Sequence, residues 1–240
     1  MKINLVCTLL FLFFFFKPQN LMPQENEDSY DSFGSGLELN TKYVWRGIPF
    51  GDAPVLFPNM SYTHKGFNVM ALGGYALNGS HSEVDWFFTY SFKNISLGLN
   101  DYFFPNNSAK NNHYLNFNPQ ESLHTVEACF TYTFPKVPIW LTASTFIFGY
   151  DRDENGDNYF STYLEAGYTW QISGNDKFSF ILGATPAKGF YSDDFGIVNT
   201  ALKYDTSIPF ESYRLPVSGS FVINPDTENV FLSFSVYLNK

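Results

Sequence analysis

Leu37-Glu38-Leu39-Asn40-Thr41-Lys42-Tyr43-Val44-Trp45-Arg46 places Leu37, Leu39, Thr41, Tyr43 and Trp45 on one parity and Glu38, Asn40, Lys42 and Arg46 on the other. Successive side chains of a strand point to opposite sides, so this alternation predicts a sheet with one apolar and one wet surface. About ten residues is also the length that carries a tilted strand across a bilayer.

The pattern recurs. Val84, Trp86, Phe88, Tyr90 and Phe92 alternate with Glu83, Asp85, Phe87, Thr89 and Ser91, and Val126, Ala128, Phe130, Tyr132 and Phe134 alternate with Thr125, Glu127, Cys129, Thr131 and Thr133. Twelve strand segments are expected, at 36–46, 55–64, 67–77, 83–92, 95–104, 124–134, 139–150, 159–170, 177–185, 197–207, 213–223 and 230–239. Connections between them take turns in length. Gly47 to Pro54, Asn78 to Ser82, Pro105 to Leu123, Asp151 to Asn158, Pro186 to Gly196 and Asn224 to Asn229 are long or polar. Lys65-Gly66, Lys93-Asn94 and Pro135 to Pro138 are tight turns. An up-and-down sheet puts odd connections at one end and even ones at the other. Long loops outside and short turns in the periplasm are the asymmetry of outer-membrane barrels. A Greek-key sandwich has no reason to show it.

Composition agrees with an all-β, up-and-down antiparallel transmembrane barrel of about 12 strands. Of 240 residues, 20% are aromatic and only 15% charged, below the share of about 25–35% expected of a soluble surface. The formal charge of −9 argues against nucleic acid, which requires Lys and Arg to replace counterions. Mean hydropathy is −0.15, and no apolar run approaches the ~18 residues of a spanning helix. An open sheet edge in hydrocarbon would strand N–H and C=O groups, so lipid-facing strands must close on themselves. Aromatics near strand ends, including Tyr43, Trp45, Tyr90, Phe92, Tyr132, Phe134, Tyr168 and Trp170, read as interfacial girdles.

The chain opens like an export signal: Lys2 precedes the mostly apolar stretch Ile3 to Phe16. We assign 1–22 to a signal peptide, 23–35 to a polar N-terminal segment and 36–240 to the barrel. Cys7 lies inside the hydrophobic stretch, so after export Cys129 stands alone and neither a disulfide within the chain nor a cysteine metal cluster can form.

Several local patterns in order resemble the TorF-type porin family of Gram-negative outer membranes. They are Tyr43-Val44-Trp45-Arg46-Gly47, Ala53-Pro54, Gly66-Phe67, Glu83-Val84-Asp85, Asp101-Tyr102-Phe103-Phe104-Pro105 and Tyr163-Leu164-Glu165-Ala166-Gly167-Tyr168. Together they span about half the mature chain. The resemblance implies a β-barrel with channel activity. Such barrels usually end on an aromatic read by the barrel-assembly machinery. Here the end is Val236-Tyr237-Leu238-Asn239-Lys240, with Tyr237 as the available aromatic.

Sharper chemistries fit poorly. Asp151, Asp153, Asn155, Gly156 and Asp157 match the start of a calcium loop, but its twelfth position is Thr162, which lacks the bidentate carboxylate. His81 and Ser82 are adjacent in a strand and face opposite ways, so they cannot form a nucleophile–base pair. His64, His113 and His124 have no metal-ligand spacing and read as loop or turn residues. We therefore expect neither enzyme activity, metal nor cofactor.

The wet face collects Glu38, Lys42, Arg46, Glu83, Asp85, Glu127, Glu165, Lys203, Asp205 and Arg214. A Lys or Arg facing lipid at midplane would cost about 2–4 kcal/mol, so these ten are expected to line a lumen. Twelve strands enclose more than an eight-stranded barrel and less than a sixteen-stranded porin, which predicts a small or partly plugged pore. The leading expectation is passive passage of small solutes or ions through the bacterial outer membrane, among outer-membrane lipid and lipopolysaccharide. The alternative is a structural or surface-interaction barrel using the loop Pro105 to Leu123.

Overall fold

Alternating side chains and tight turns close the chain into one ring of twelve antiparallel strands, shown in a computed structural model that describes residues 31–106 and 112–239. The ring consists of β1 (Ser32–Asn40), β4 (Val55–His64), β5 (Phe67–Ala76), β6 (Ser82–Phe92), β7 (Ile95–Phe103), β8 (His124–Thr133), β9 (Ile139–Gly149), β10 (Thr162–Ser173), β11 (Asp176–Thr185), β12 (Gly196–Phe210), β13 (Tyr213–Asn224) and β14 (Asn229–Asn239). Each strand pairs with its chain neighbour, and β1 pairs β14 to close the circle. Nine register pairs hold β1 to β4, from Ser32↔Thr63 to Asn40↔Val55. Only five, from Gly36↔Asn239 to Asn40↔Ser235, hold it to β14. The connections alternate as expected: 41–54, 77–81, 104–123, 150–161, 186–195 and 225–228 gather at one end, and the short turns at the other. The expected signal peptide at 1–22 lies outside the described residues, as do most of the residues before Ser32.

The register fixes which side chains share a face. In β6, Glu83, Asp85 and Phe87 stand opposite Gly74, Leu72 and Met70 of β5, while Phe88, Tyr90 and Phe92 are exposed on the outer wall. Leu97, Leu99, Phe130, Leu141, Leu164, Leu182, Phe221 and Leu232 continue that outer apolar surface around the ring. Ser144, Ser179, Ser218, Ser233 and Ser235 are buried. Hydroxyls pair across strands there, Thr131 with Thr142 and Thr169 with Ser179, each at 2.9 Å. Such cross-strand pairs contribute about 0.2–1 kcal/mol each while keeping the inner wall polar.

One segment departs from the sequence-based expectation. The stretch 36–46 is not one spanning strand. β1 starts at Ser32 and stops at Asn40, and the chain then turns into a two-stranded hairpin, β2 (Tyr43–Trp45) and β3 (Ile48–Phe50), which pairs with itself and not with the ring. Tyr43 and Trp45, expected in the outer girdle, therefore lie inside. Their period-2 alternation is genuine but belongs to a hairpin, and periodicity alone cannot distinguish a ring strand from a short strand after a turn. His124 is a second correction. It is the first residue of β8, not a loop residue, and is fully buried on the outer side of the wall. Its Nδ1 lies 2.8 Å from Asp101 and its Nε2 2.6 Å from the Tyr114 carbonyl, with the Phe117 ring stacked at 4.3 Å. The described part of the long connection thus folds down over the rim.

A candidate constriction in the lumen

The hairpin turns at Arg46-Gly47, both with positive φ, 51° and 81°. Gly47 is required there, because a Cβ would overlap the Val198 carbonyl oxygen and strain the left-handed backbone. Asn224 Nδ2 donates to the Gly47 carbonyl at 3.3 Å. A left-handed Arg46 is unfavourable for a bulky residue and persists because its head is held on several sides.

That head forms a two-pronged ion pair with Glu127, Nη1 to Oε1 and Nη2 to Oε2 at 3.1 Å, and Nη1 also donates to the Tyr191 hydroxyl at 2.5 Å. Its Cζ lies 4.4 Å from the Trp45 ring centre and 4.6 Å from that of Tyr163. Glu127 is completely buried and also accepts from the Tyr102 hydroxyl at 2.9 Å. A register shift between Val126 and Glu127 marks the wall where this carboxylate is aimed inward. Tyr191, in the connection before β12, is pushed well above the ordinary tyrosine range by burial, with the Arg46 charge working against that. Trp45 meets Tyr102, Phe146 and Tyr191 at 5.7–6.3 Å between ring centres, which anchors the hairpin to walls on different sides of the barrel.

Two cavities flank this hairpin. On the long-loop side, a vestibule of about 630 Å³ is lined by Tyr43, Trp45, Phe50, His81, Glu83, Phe104 and Asp151 among others. On the other side, a cavity of about 190 Å³ is lined by Glu38, Lys42, Val44, Arg46, Lys203 and Ser-rich β13 and β14. Alternate residues of β2 thus face opposite cavities. Further along, a third cavity of about 420 Å³ at the short-turn end holds Lys177, Asp205 and Arg214.

The residues expected from sequence divide accordingly. Arg46 and Glu127 meet in the constriction. Lys42 belongs to the hairpin and donates through Nζ to the Gly51 carbonyl at 2.7 Å. Glu165 accepts from the Tyr163 hydroxyl at 2.8 Å and from Trp140 Nε1 at 3.3 Å. Glu38 accepts from Ser235 Oγ at 2.7 Å, and Lys203 pairs with Asp205 at 2.9 Å below the hairpin. Arg214 donates from Nε to Ser207 Oγ at 2.8 Å near the short-turn mouth. Glu83 and Asp85 sit together at the long-loop end, each 2% exposed. His81 Nε2 lies 3.2 Å from Glu83 Oε2 but lacks hydrogen-bond geometry, and Glu83 Oε1 and Asp85 Oδ1 have no hydrogen-bond partner.

Sequence reasoning missed Lys177, whose inward parity was readable, Tyr102 and Tyr163, which register brings to Arg46, and Tyr191, which a connection folds inward. Ser82 donates to the Pro105 carbonyl, away from His81. The acidic stretch is an ordinary turn: Asp153 Oδ1 accepts the N–H groups of Asn155 and Asp157 at 2.9 Å, and Asp151 accepts from Ser161. Among the described residues, no three His, Cys, Asp or Glu side chains are arranged to hold a metal ion.

No protein-family model and no curated protein matches the sequence. Among solved structures, the chain is similar to a KdgM porin, at 9% identity and a TM-score of 0.48 over 86% of this chain and 97% of that one. It is also similar to the COG4313 outer membrane channel from Pseudomonas putida F1, at 10% identity and a TM-score of 0.44 over 87% of this chain and 94% of that one.

Proposed function

We propose that this protein is an outer-membrane channel through which small solutes or ions pass passively, with the β2–β3 hairpin as its constriction. The observation that carries the reading is a closed ring with an apolar outside whose polar inside is divided by a chain segment pinned by a buried ion pair. A barrel that served only as a scaffold could fill its interior with apolar side chains. Here Lys177, Lys203, Asp205 and Arg214 line cavities below the hairpin, and Glu83 lines one above it. The TorF-type resemblance supports the same reading, because its first motif, Tyr43-Val44-Trp45-Arg46-Gly47, forms the first strand and the turn of the hairpin. The long-loop end then faces outward and the short turns face the periplasm.

The test is conductance of the purified, heat-modifiable barrel in planar bilayers. Steady steps support a channel. Silence from a folded barrel refutes it and favours the surface-interaction alternative, for which Leu115 and Phe117, exposed on the connection outside the rim, speak.

A further inference from the structure

The vestibule above the hairpin has features that a mere entrance does not need. At about 630 Å³ it falls in the range of small-molecule pockets, and Trp45 of the hairpin forms part of its lining. Aromatic rings dominate its walls. Phe50 and Phe104 lie nearly parallel, at 7° with centres 6.3 Å apart, and Trp45 meets Phe50 edge-on at 6.1 Å.

Charge supplies the second observation. Glu83 lines the vestibule at 2% exposure with Oε1 unpartnered, and the buried Asp85 carboxyl stands two residues further along the same face. Among the described residues neither Lys nor Arg lines this space: Lys42 and Arg46 face the lower cavity, where their heads are engaged by the Gly51 carbonyl and by Glu127. Asp151 adds a second carboxylate on the lining, and among the described residues His81 is the one titratable nitrogen there. A buried carboxylate without a full cationic partner is unfavourable and is relieved by an arriving positive charge. Aromatic faces attract the same charge.

The geometry points to a binding site for a small organic amine, its ammonium group against Glu83 and its apolar or aromatic body against Trp45, Phe50 and Phe104. This deepens the channel reading by naming the class of solute the outer vestibule retains, and rests on that reading only for the route by which the solute arrives. Anionic solutes of the same size are disfavoured by Glu83 and Asp151 together.

Three probes of one shape and different charge test it: 2-phenylethylamine, 2-phenylethanol and phenylacetate, titrated into the folded full-length barrel in detergent and followed by calorimetry and Trp45 fluorescence, with Trp45→Phe as the optical baseline. The amine should bind saturably, the alcohol at least about tenfold more weakly, and phenylacetate more weakly again. Glu83→Gln should cost the amine about tenfold and leave the alcohol unchanged. Equal binding of all three, no saturable binding of the amine, or unchanged amine affinity in folded Glu83→Gln overturns the site. If Glu83→Gln loses its heat shift, Phe104→Leu carries the test: it should weaken amine and alcohol alike, and unchanged affinity for both overturns the site. Conductance of the same preparation separates the two readings. A silent barrel that binds the amine keeps the site and loses the channel. A conducting barrel that ignores the amine does the reverse.

Discussion

Replacing Arg46 by Ala should open the pore. The guanidinium is the hairpin's main tether, joined to Glu127, to the Tyr191 hydroxyl and to the Trp45 and Tyr163 rings. Arg46 has 13% side-chain exposure and Glu127 none, so solvent screens the pair little. Removing one partner of a buried pair costs about 3–5 kcal/mol, because the other charge is left unpaired. If that cost falls on the seated hairpin and not on the barrel, the ratio of displaced to seated hairpin rises roughly a hundredfold to several-thousandfold, at 1.4 kcal/mol per tenfold. Single-channel recording should show larger steps or a far higher open fraction. Arg46→Ala/Glu127→Ala, which removes the stranded carboxylate as well, should still open. Arg46→Lys, which keeps the charge but loses the planar fork, should fall between. A heat-modifiable Arg46→Ala barrel with the parent's step size and open fraction would refute the idea that this pair holds the constriction.

Glu83→Gln/Asp85→Asn should move the reversal potential in a salt gradient toward anions by a modest amount, since salt screens beyond about 8 Å, and an unchanged potential in a conducting barrel would place both outside the ion path. Gly47→Ala should lower the denaturation midpoint and loosen the hairpin, by about 1–3 kcal/mol from backbone strain alone, since φ is 81° and the new methyl meets the Val198 carbonyl. A protease site inserted at Glu154 should be cut on intact cells while one at Lys93-Asn94 should not; the reverse pattern would invert the topology. The backbone N–H of Asp157, then that of Asn155, holds the Asp153 carboxyl below its ordinary 3.8. Because the folded value is depressed, that contribution to loop order is present above pH ~4 and is lost as pH falls through the lowered value. Amide exchange of Asp157 should show the step, and Asp153→Asn should abolish it.

Eleven of the twelve ring strands were readable to within a few residues, because each buries one face and turns at Gly, Asn or Pro. Val84 to Phe92 and Val126 to Phe134 alternate without interruption, and the inward parity of Glu83, Asp85 and Glu127 followed from that. The first segment misled for a physical reason. Asn40 ends the ring pairing and Arg46-Gly47 is a hairpin turn, but Thr41 to Trp45 continues the same alternation, so no change of period signals departure from the wall. Arg46 and Glu127 were both named as inward, whereas their pairing joins residues 81 positions apart and is fixed only by register. Tyr191 was hidden in a connection, where no periodicity says which way a side chain turns.

The junction between β1 and β14 carries a consequence for how the barrel comes to be closed. It is the shorter of β1's two pairings, and the residues leading into the hairpin are tied directly onto it: Ser233 Oγ donates to Asn40 Oδ1 and to the Lys42 carbonyl, the Thr41 N–H donates to the Phe234 carbonyl, and the Phe234 N–H donates to Thr41 Oγ1. These partners lie up to 193 residues apart, so they can meet only after nearly all of the chain is in place. Closing the ring and anchoring the foot of the hairpin therefore draw on the same contacts. A ring left open between β1 and β14 would also leave the foot of the hairpin untied, so one seam sets both the closure of the wall and the point from which the inner segment starts.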